Sequence, residues 1–266
     1  MTKELGDTPD DAASRLFVHS LAKCFQILEV LQKAGRPLGF TEIVAASKLN
    51  RSVVQRMVHT LKALGYLRQH PDTRAYTLSS RMLSFSHTVL ALDRLREKAH
   101  PYLEALNRDT GETVNLMRLE EDEIVYIARF PSHHAVSVDL HVGSRLPAFC
   151  TAAGRAILSC MDSAVARAAL ERADRKAMTA TTVTDLPGLM AALAAARQAG
   201  YALNDQEAFV GDISIAAPLL DRQRKPVGAV NIAVPSPRWK LEDVQRSLAP
   251  KLIATAKSIN ASLGDL

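Results

Sequence analysis

No stretch of roughly 18 consecutive apolar residues occurs in the chain, which argues against a membrane-spanning helix. The opening residues, MTKELGDTPDDAASR, are acidic and polar where a secretory signal would be basic and then apolar, so a cytoplasmic protein is expected. Cysteine is rare. Cys24, Cys150 and Cys160 are odd in number and lack CxxC spacing, so neither a disulfide framework nor a structural zinc site is indicated. Reduced thiols, no metal and no cofactor are the expectation. Internal repeats and low-complexity tracts are missing too, apart from a bias to alanine.

Acidic residues are scarce in one region only. Residues 15 to 90 hold three acids against eleven lysines and arginines, an excess of +8, whereas residues 1 to 14 carry −3 and residues 91 to 266 hold twenty-one of each sign. The whole formal charge of +5 therefore sits near the N-terminus. That points to a polyanionic partner for this region and a different task for the remainder. With 266 residues and 47% hydrophobic content, the chain is long enough for two domains with real cores.

Within the basic region, GFTEIVAASKLNRSVVQRMVHTLKALGY at 39 to 66 reads as two helices joined by a short break. Thr41 is placed to cap the first and Asn50 the second, which runs to about Leu64. Val54, Met57, Val58, Leu61 and Leu64 recur at three- and four-residue spacing and predict one buried stripe. Ser52, Gln55, Arg56 and His59 point away from it, with Arg51 in the first turn and Lys62 along the edge, a set suited to base edges and phosphates in a major groove. A surface helix of an ordinary bundle would also have a polar outer face. The next segment weighs against that reading: Leu67 to His70 and Ala75 to Leu78 predict a hairpin about the turn Pro71 to Arg74, decorated by Arg68, His70 and Arg74. A winged helix-turn-helix over 18–78 is expected, preceded by a disordered tail at 1–17. Its third helix is Ser20 to Ala34, with Leu21, Phe25, Leu28 and Leu31 on one face.

Residues 79–94 predict a linker helix with Met82, Leu83, Phe85, Val89, Leu90 and Leu92, too apolar to stand in water. It packs either on a second copy of the chain or on its own. Over 95–266 helices and strands alternate. Helices are expected at Arg96 to Thr110, Thr151 to Met161, Ser163 to Asp174, Leu186 to Ala199 and Leu241 to Leu263. Strands are expected at Val114 to Leu119, Ile124 to Phe130, Ala135 to Val142, Ile213 to Leu219 and Val227 to Val234, with Gly143 to Phe149 following the third. The pattern is α+β with an antiparallel sheet.

SLAKCFQILEVL at 20 to 31, HTLKALGYL at 59 to 67, YTLSSRMLSF at 76 to 85, RLPAFCTAAGRAIL at 145 to 158, GYALNDQEAFVGDISIAAPLLD at 200 to 221 and GAVNIAVPSPRW at 228 to 239 resemble the IclR family of bacterial transcription regulators. The resemblance spans nearly the entire chain in order. It implies a winged helix-turn-helix, a linker helix used in dimerisation, and a GAF-like C-terminal domain that binds a small organic acid. The partners implied are double-stranded DNA with an inverted-repeat operator and a second copy of the chain, as a homodimer or a dimer of dimers.

Under that resemblance the small residues Thr151, Ala152, Ala153 and Gly154 open a helix whose free amides receive a carboxylate. Without it, close packing against the sheet is the plainer account. In family members that bind short keto acids, the effector lies against positions matching Ala152, Ala153, Asn204, Ser214, Asn231 and Ala233. Here Asn204 replaces an acid, Ser214 a thiol and Ala233 one of two hydroxyls, which weighs against a very small, polar ligand. The stretch 125–155 looks closest to the branch that controls aromatic-acid degradation.

Cys150 before a helix, with His133, His134 and His141 nearby in sequence, suggests a nucleophile and base or a metal site, but no third orienting residue and no HxxxH pair accompany them. A buried structural cysteine in a protein that is not an enzyme is expected. The rival class, a ligand-binding or scaffold protein whose winged domain contacts another protein, would call for a neutral, apolar second helix.

Overall fold

The computed structural model describes residues 16–133 and 139–264. The tail expected at 1–17 lies almost wholly outside the described residues. So does half of the strand expected over Ala135 to Val142; its described part, 139–142, is not strand. The chain divides into two compact units, the first ending at Leu92 and the second beginning at Asp93.

The first unit runs α1 (His19–Ala34), α2 (Phe40–Ser47), α3 (Arg51–Ala63), β1 (Leu67–Gln69), β2 (Tyr76–Leu78) and α4 (Met82–Ala91). Ile27, Leu31, Ile43, Val54, Val58, Leu61 and Leu67 form its core. The cap of α2 is Gly39, not Thr41: the Glu42 carboxylate accepts the Gly39 amide at 2.8 Å, a bond that needs the chain to enter the helix one residue earlier. Asn50 is the N-cap of α3 by backbone geometry, without a side-chain bond. The expected face of α1 is also corrected. Leu21 and Phe25 are each 55% exposed, because only the C-terminal turns of α1, carrying Ile27 and Leu31, reach the small core. Leu64 is exposed as well, since it ends α3 where the chain reverses at Gly65 (φ +80°).

β1 and β2 pair antiparallel, Leu67 with Leu78 and Gln69 with Tyr76. The end of α3 is fastened to the start of α4: Ser79 Oγ donates to the Gly65 carbonyl at 2.6 Å, Arg81 Nη1 to the Leu64 carbonyl at 2.9 Å, and Arg81 lies over the Tyr66 ring. No residue of α4 is buried. Apart from the Tyr66–Phe85 ring contact, its apolar residues Leu83, Phe85 and Val89 stand in solvent in the single chain.

The second unit is a curled six-stranded antiparallel sheet, in the order β5-β4-β3-β8-β7-β6. The strands are β3 (Thr113–Glu120), β4 (Glu123–Phe130), β5 (Arg145–Pro147), β6 (Ala202–Asp205), β7 (Asp212–Leu220) and β8 (Pro226–Pro235). α5 (Arg94–Thr110) and α10 (Ala249–Leu263) cover one face; α6 (Ala152–Ser159) and α8 (Leu186–Ala199) cover the other, with α7 (Ser163–Arg172) beside them. The short α9 (Leu241–Asp243) passes through a π turn at Val244–Leu248 into α10, so the single helix expected there is interrupted. Pro250 lacks the amide that a continuous helix would need at that place.

Asp93 caps α5, accepting the Arg96 amide at 2.8 Å, and pairs with Arg118 of β3 at 3.0 Å. The period-two alternation of the sheet decides what each face offers. Val114, Leu116, Val230, Ile232 and Ile215 point to α5 and α10, whereas Thr113, Asn115, Met117, Ala229, Asn231, Ala233, Ser214 and Asn204 share the face toward α6. Polar groups in the middle of a sheet face, under a helix, mark the place where a cavity opens.

Candidate functional site

Two features stand out, one in each unit. In the first, a groove of about 380 Å³ lies between α3 and the wing, lined by Phe40, Arg51, Gln55, His59, Lys62, Gln69, Arg74 and Tyr76. Its sides are joined by side chains: Lys62 Nζ donates to Gln69 Oε1 at 2.9 Å, and Gln69 Nε2 donates to the Arg74 carbonyl at 3.0 Å. Arg51 stacks on Phe40, 4.8 Å from the ring centre, which holds the guanidinium at the N-terminal end of α3. Ser52 and Arg56 are exposed on the same helix but do not line the groove. Arg68 does not either: it alternates with Leu67 and Gln69, so it leaves the strand on the other side.

In the second unit a cavity of about 330 Å³ opens between the sheet and the start of α6. Of the residues expected at a ligand site, it brings together Thr151, Ala152, Ala153, Asn204, Ser214, Asn231 and Ala233. Gly154 is not on its wall. A Cβ there would overlap the Ala148 carbonyl, so this glycine serves the packing of α6 against the turn before it. Thr151 Oγ1 accepts the Gly154 amide at 3.2 Å, which leaves the amides of Ala152 and Ala153 uncapped by this side chain at the start of α6. Asn204 is tied into the backbone. Its Nδ2 donates to the Cys150 carbonyl and its Oδ1 accepts the Glu207 amide at 3.2 Å.

The sequence did not single out the charged residues of this cavity, Glu112, Arg129 and Asp212. Glu112 is buried and bound by Arg238, and it accepts Trp239 Nε1 at 2.9 Å. Arg129 Nη1 donates to Asn115 Oδ1 at 3.0 Å, and Asn115 Nδ2 donates to Asn231 Oδ1 at 2.8 Å. Burial pushes the Asp212 carboxyl up to about 6 against the pull of Arg129. Burial, with the Asp212 charge added, also pushes the Tyr126 phenol well above its ordinary range. Met117, Ile124, Tyr126, Leu146 and Phe209 supply apolar walls. The signal that could have found Arg129 and Asp212 is phase: each lies on the inward parity of its strand, in step with Asn115 and Ser214.

Cys150 is buried, and burial pushes its thiol up to about 11, so it stays protonated at neutral pH and is no nucleophile. His133 and His141 are exposed, and His134 lies outside the described residues. Among the described residues no group of three His, Cys, Asp or Glu is placed to hold a metal ion, and no helix is long and apolar enough to cross a membrane.

A basic helix-turn-helix with a wing, joined to an α/β domain that encloses a polar-floored cavity, defines a ligand-responsive DNA-binding regulator. Residues 20–71 match the IclR helix-turn-helix domain, and residues 87–261 match the bacterial transcriptional regulator IclR C-terminal domain. The chain belongs to the IclR family. It is 35% identical to the Pca regulon regulatory protein of Pseudomonas putida over 91% of this chain and 83% of that one. It is 31% identical to the p-hydroxybenzoate hydroxylase transcriptional activator of Acinetobacter baylyi over 91% of each. An IclR homologue from Microbacterium hydrocarbonoxydans, solved in complex with 4-hydroxybenzoate, superposes with a TM-score of 0.77 at 25% identity, covering 92% of this chain and 98% of that one. These relatives are transcription regulators, a class distinct from enzymes.

Proposed function

We propose that this regulator acts in the cytoplasm as a homodimer or dimer of dimers on an inverted-repeat operator, and that its effector is an aromatic carboxylic acid. The observation that carries the effector class is the cavity itself. Apolar walls from Met117, Ile124, Tyr126, Leu146 and Phe209 face a floor of Asn115, Asn231 and Ser214, which suits a flat apolar body with polar substituents. The likeness to a p-hydroxybenzoate hydroxylase activator and to an IclR homologue solved with 4-hydroxybenzoate agrees with it. The carboxylate lies at the amides of Ala152 and Ala153, at the positive end of α6.

Arg51, Ser52, Gln55, Arg56, His59 and Lys62 of α3, with Arg68 and Arg74 of the wing, contact the operator. All eight are exposed, and the charge and polarity of α3 weigh against a protein-protein role for the winged domain. The protonated thiol of Cys150 supports a regulator without catalytic activity.

A thermal-shift screen of organic acids tests the effector class. A ligand at a hundred times its dissociation constant adds about 2.7 kcal/mol to native stability. Aromatic acids are expected to raise Tm more than pyruvate or glyoxylate. Stabilisation by the smallest keto acids alone would overturn the effector class and leave the regulator intact.

A further inference from the structure

Gln69 is polar where the parity of its strand calls for an apolar residue. Leu67, two positions before it, belongs to the core of the first unit, and Tyr76 and Leu78, across the ladder, pack against that core. Gln69 shares their face, half-buried beside the groove between α3 and the wing, while Arg68 takes the opposite side. What it makes there is two bonds to groups of opposite kind. The Lys62 ammonium can only donate and the Arg74 carbonyl can only accept, so Oε1 faces the first at 2.9 Å and Nε2 the second at 3.0 Å. A reversed amide would lose both. Arg74 itself stands at φ +57°, in the left-handed region that side chains rarely adopt, and the donor on its carbonyl helps to hold the turn there. Backbone bonds anchor β2 elsewhere: the Leu38 amide donates to the Tyr76 carbonyl at 3.1 Å and the Tyr76 amide to the Leu38 carbonyl at 2.8 Å. At the turn end of the hairpin, the Gln69 side chain reaches back to α3.

We propose that Gln69 is a positioning residue for operator binding: its amide sets the Lys62 ammonium and the turn carrying Arg74 as one cationic edge, so that helix and wing grip the same sugar-phosphate strand. The inference rests on Lys62 and Arg74 being operator contacts. Arg51, Lys62 and Arg74 line the groove, and among the described residues no acid does, which suits a phosphate backbone. The tether leaves Lys62 useful, because an ammonium has three N–H groups and Gln69 takes one. A lysine chain loose in water has rotamer freedom to lose on binding, whereas a chain already held loses less. Gln69 thus acts on affinity through two cations and not through a contact of its own.

A mutant cycle on the full-length protein tests this, read by fluorescence anisotropy with a duplex recovered from random DNA by repeated selection with the protein. Gln69→Met keeps the side chain's length and removes both bonds, and it is expected to weaken binding about fivefold to tenfold. In a protein already carrying Lys62→Met and Arg74→Ala, the same change is expected to cost less than about twofold, since the groups it acts through are gone. A residue that merely supports the fold would cost as much in both backgrounds, and that result would overturn the assignment. Neutral methylphosphonate linkages, placed one at a time, read the shared grip. The linkages that cease to matter in Lys62→Met and in Arg74→Ala are expected on one strand of a half-site, and opposite strands would overturn it. If Lys62→Met and Arg74→Ala both bound as tightly as wild type, the operator-contact reading would fall and the inference with it.

Discussion

Arg155 of α6 grips Glu207, just beyond β6, through two parallel hydrogen bonds, Nη1 to Oε1 at 2.5 Å and Nη2 to Oε2 at 2.6 Å, and both side chains are buried. Arg155 Nε also donates to the Phe149 carbonyl at 2.8 Å, while Glu207 accepts the Val183 amide at 2.9 Å. The pair thus ties α6 to the segment that carries Ala208, Phe209, Val210 and Gly211 along the cavity wall. Glu207→Gln strands the guanidinium without its counter-charge and is expected to cost about 3–5 kcal/mol. Urea unfolding measures it; a loss below about 1 kcal/mol would show that the pair is dispensable.

On DNA, Gln55→Ala and Arg56→Ala are each expected to cost about 1–3 kcal/mol and to loosen sequence choice. Arg68→Ala and Arg74→Ala are expected to weaken binding to every sequence and to flatten the salt dependence by about one phosphate's worth. Gel shifts on specific and scrambled duplexes across a salt series separate the two effects. An Arg74→Ala protein with relaxed sequence choice and an unchanged salt slope contradicts the division of labour.

Leu83, Phe85 and Val89 of α4 are more than half exposed in the single chain, an arrangement water penalises. Phe85→Asp with Val89→Asp is expected to shift the protein toward monomer and to weaken operator binding with it, because paired winged domains contribute two sets of contacts. Light scattering at micromolar concentration reads the result. A wild-type protein that is already monomeric there would end the dimer proposal.

Ala153 is 1% exposed and sits where a carboxylate would approach the start of α6. Ala153→Leu is expected to abolish the effector response while operator binding survives, since the winged domain has its own core. Reciprocity supplies a second check. The factor by which effector changes operator affinity must equal the factor by which operator changes effector affinity. Operator-bound and free wild-type protein with equal effector affinities would rule out coupling.

Stability should respond to pH through Asp212. Its carboxyl is held at about 6 in the folded chain against an ordinary 3.8, so the folded state keeps the proton over a range where the unfolded chain has released it. The resulting stabilisation is full below 3.8 and is lost as pH rises through about 6. Above that, the ionised carboxylate costs roughly 3 kcal/mol at most relative to a neutral isostere. Asp212→Asn is therefore expected to raise Tm near pH 8 and to give no gain near pH 4. A gain of equal size at both ends would mean that charge is not the cause.

How far the sequence carried depends on what each segment signals by itself. α8 could be read to its ends, because Asp185 caps it and Gly200 stops it in the left-handed region. β6 escaped notice: ALND is four residues long, and what it buries is the polar Asn204, whose partners lie on the turn before α6 and on Glu207. The exposed face of α1 escaped for a related reason, since periodicity finds an apolar stripe but not how far the neighbouring helices extend along it. The cavity followed the same rule. Its small residues were legible through the family resemblance, while Arg129 and Asp212 come together only when strands distant in sequence are set side by side.

The chain is pinned on either side of α4. Ser79 and Arg81 fasten the start of α4 to the end of α3, and Asp93 fastens the start of α5 to β3 through Arg118. Between the two pins lie α4 and the pair Leu92–Asp93, where one compact unit ends and the other begins. That makes α4 a crank arm, about 15 Å long for its ten residues. A turn of about 10° at the joint would carry its far end through roughly 2.5 Å, enough to spoil a hydrogen bond to a base edge. In the homodimer proposed above, an effector acting along this route would set where the two recognition helices stand relative to each other, and the spacing of operator half-sites would be the ruler against which its effect is read.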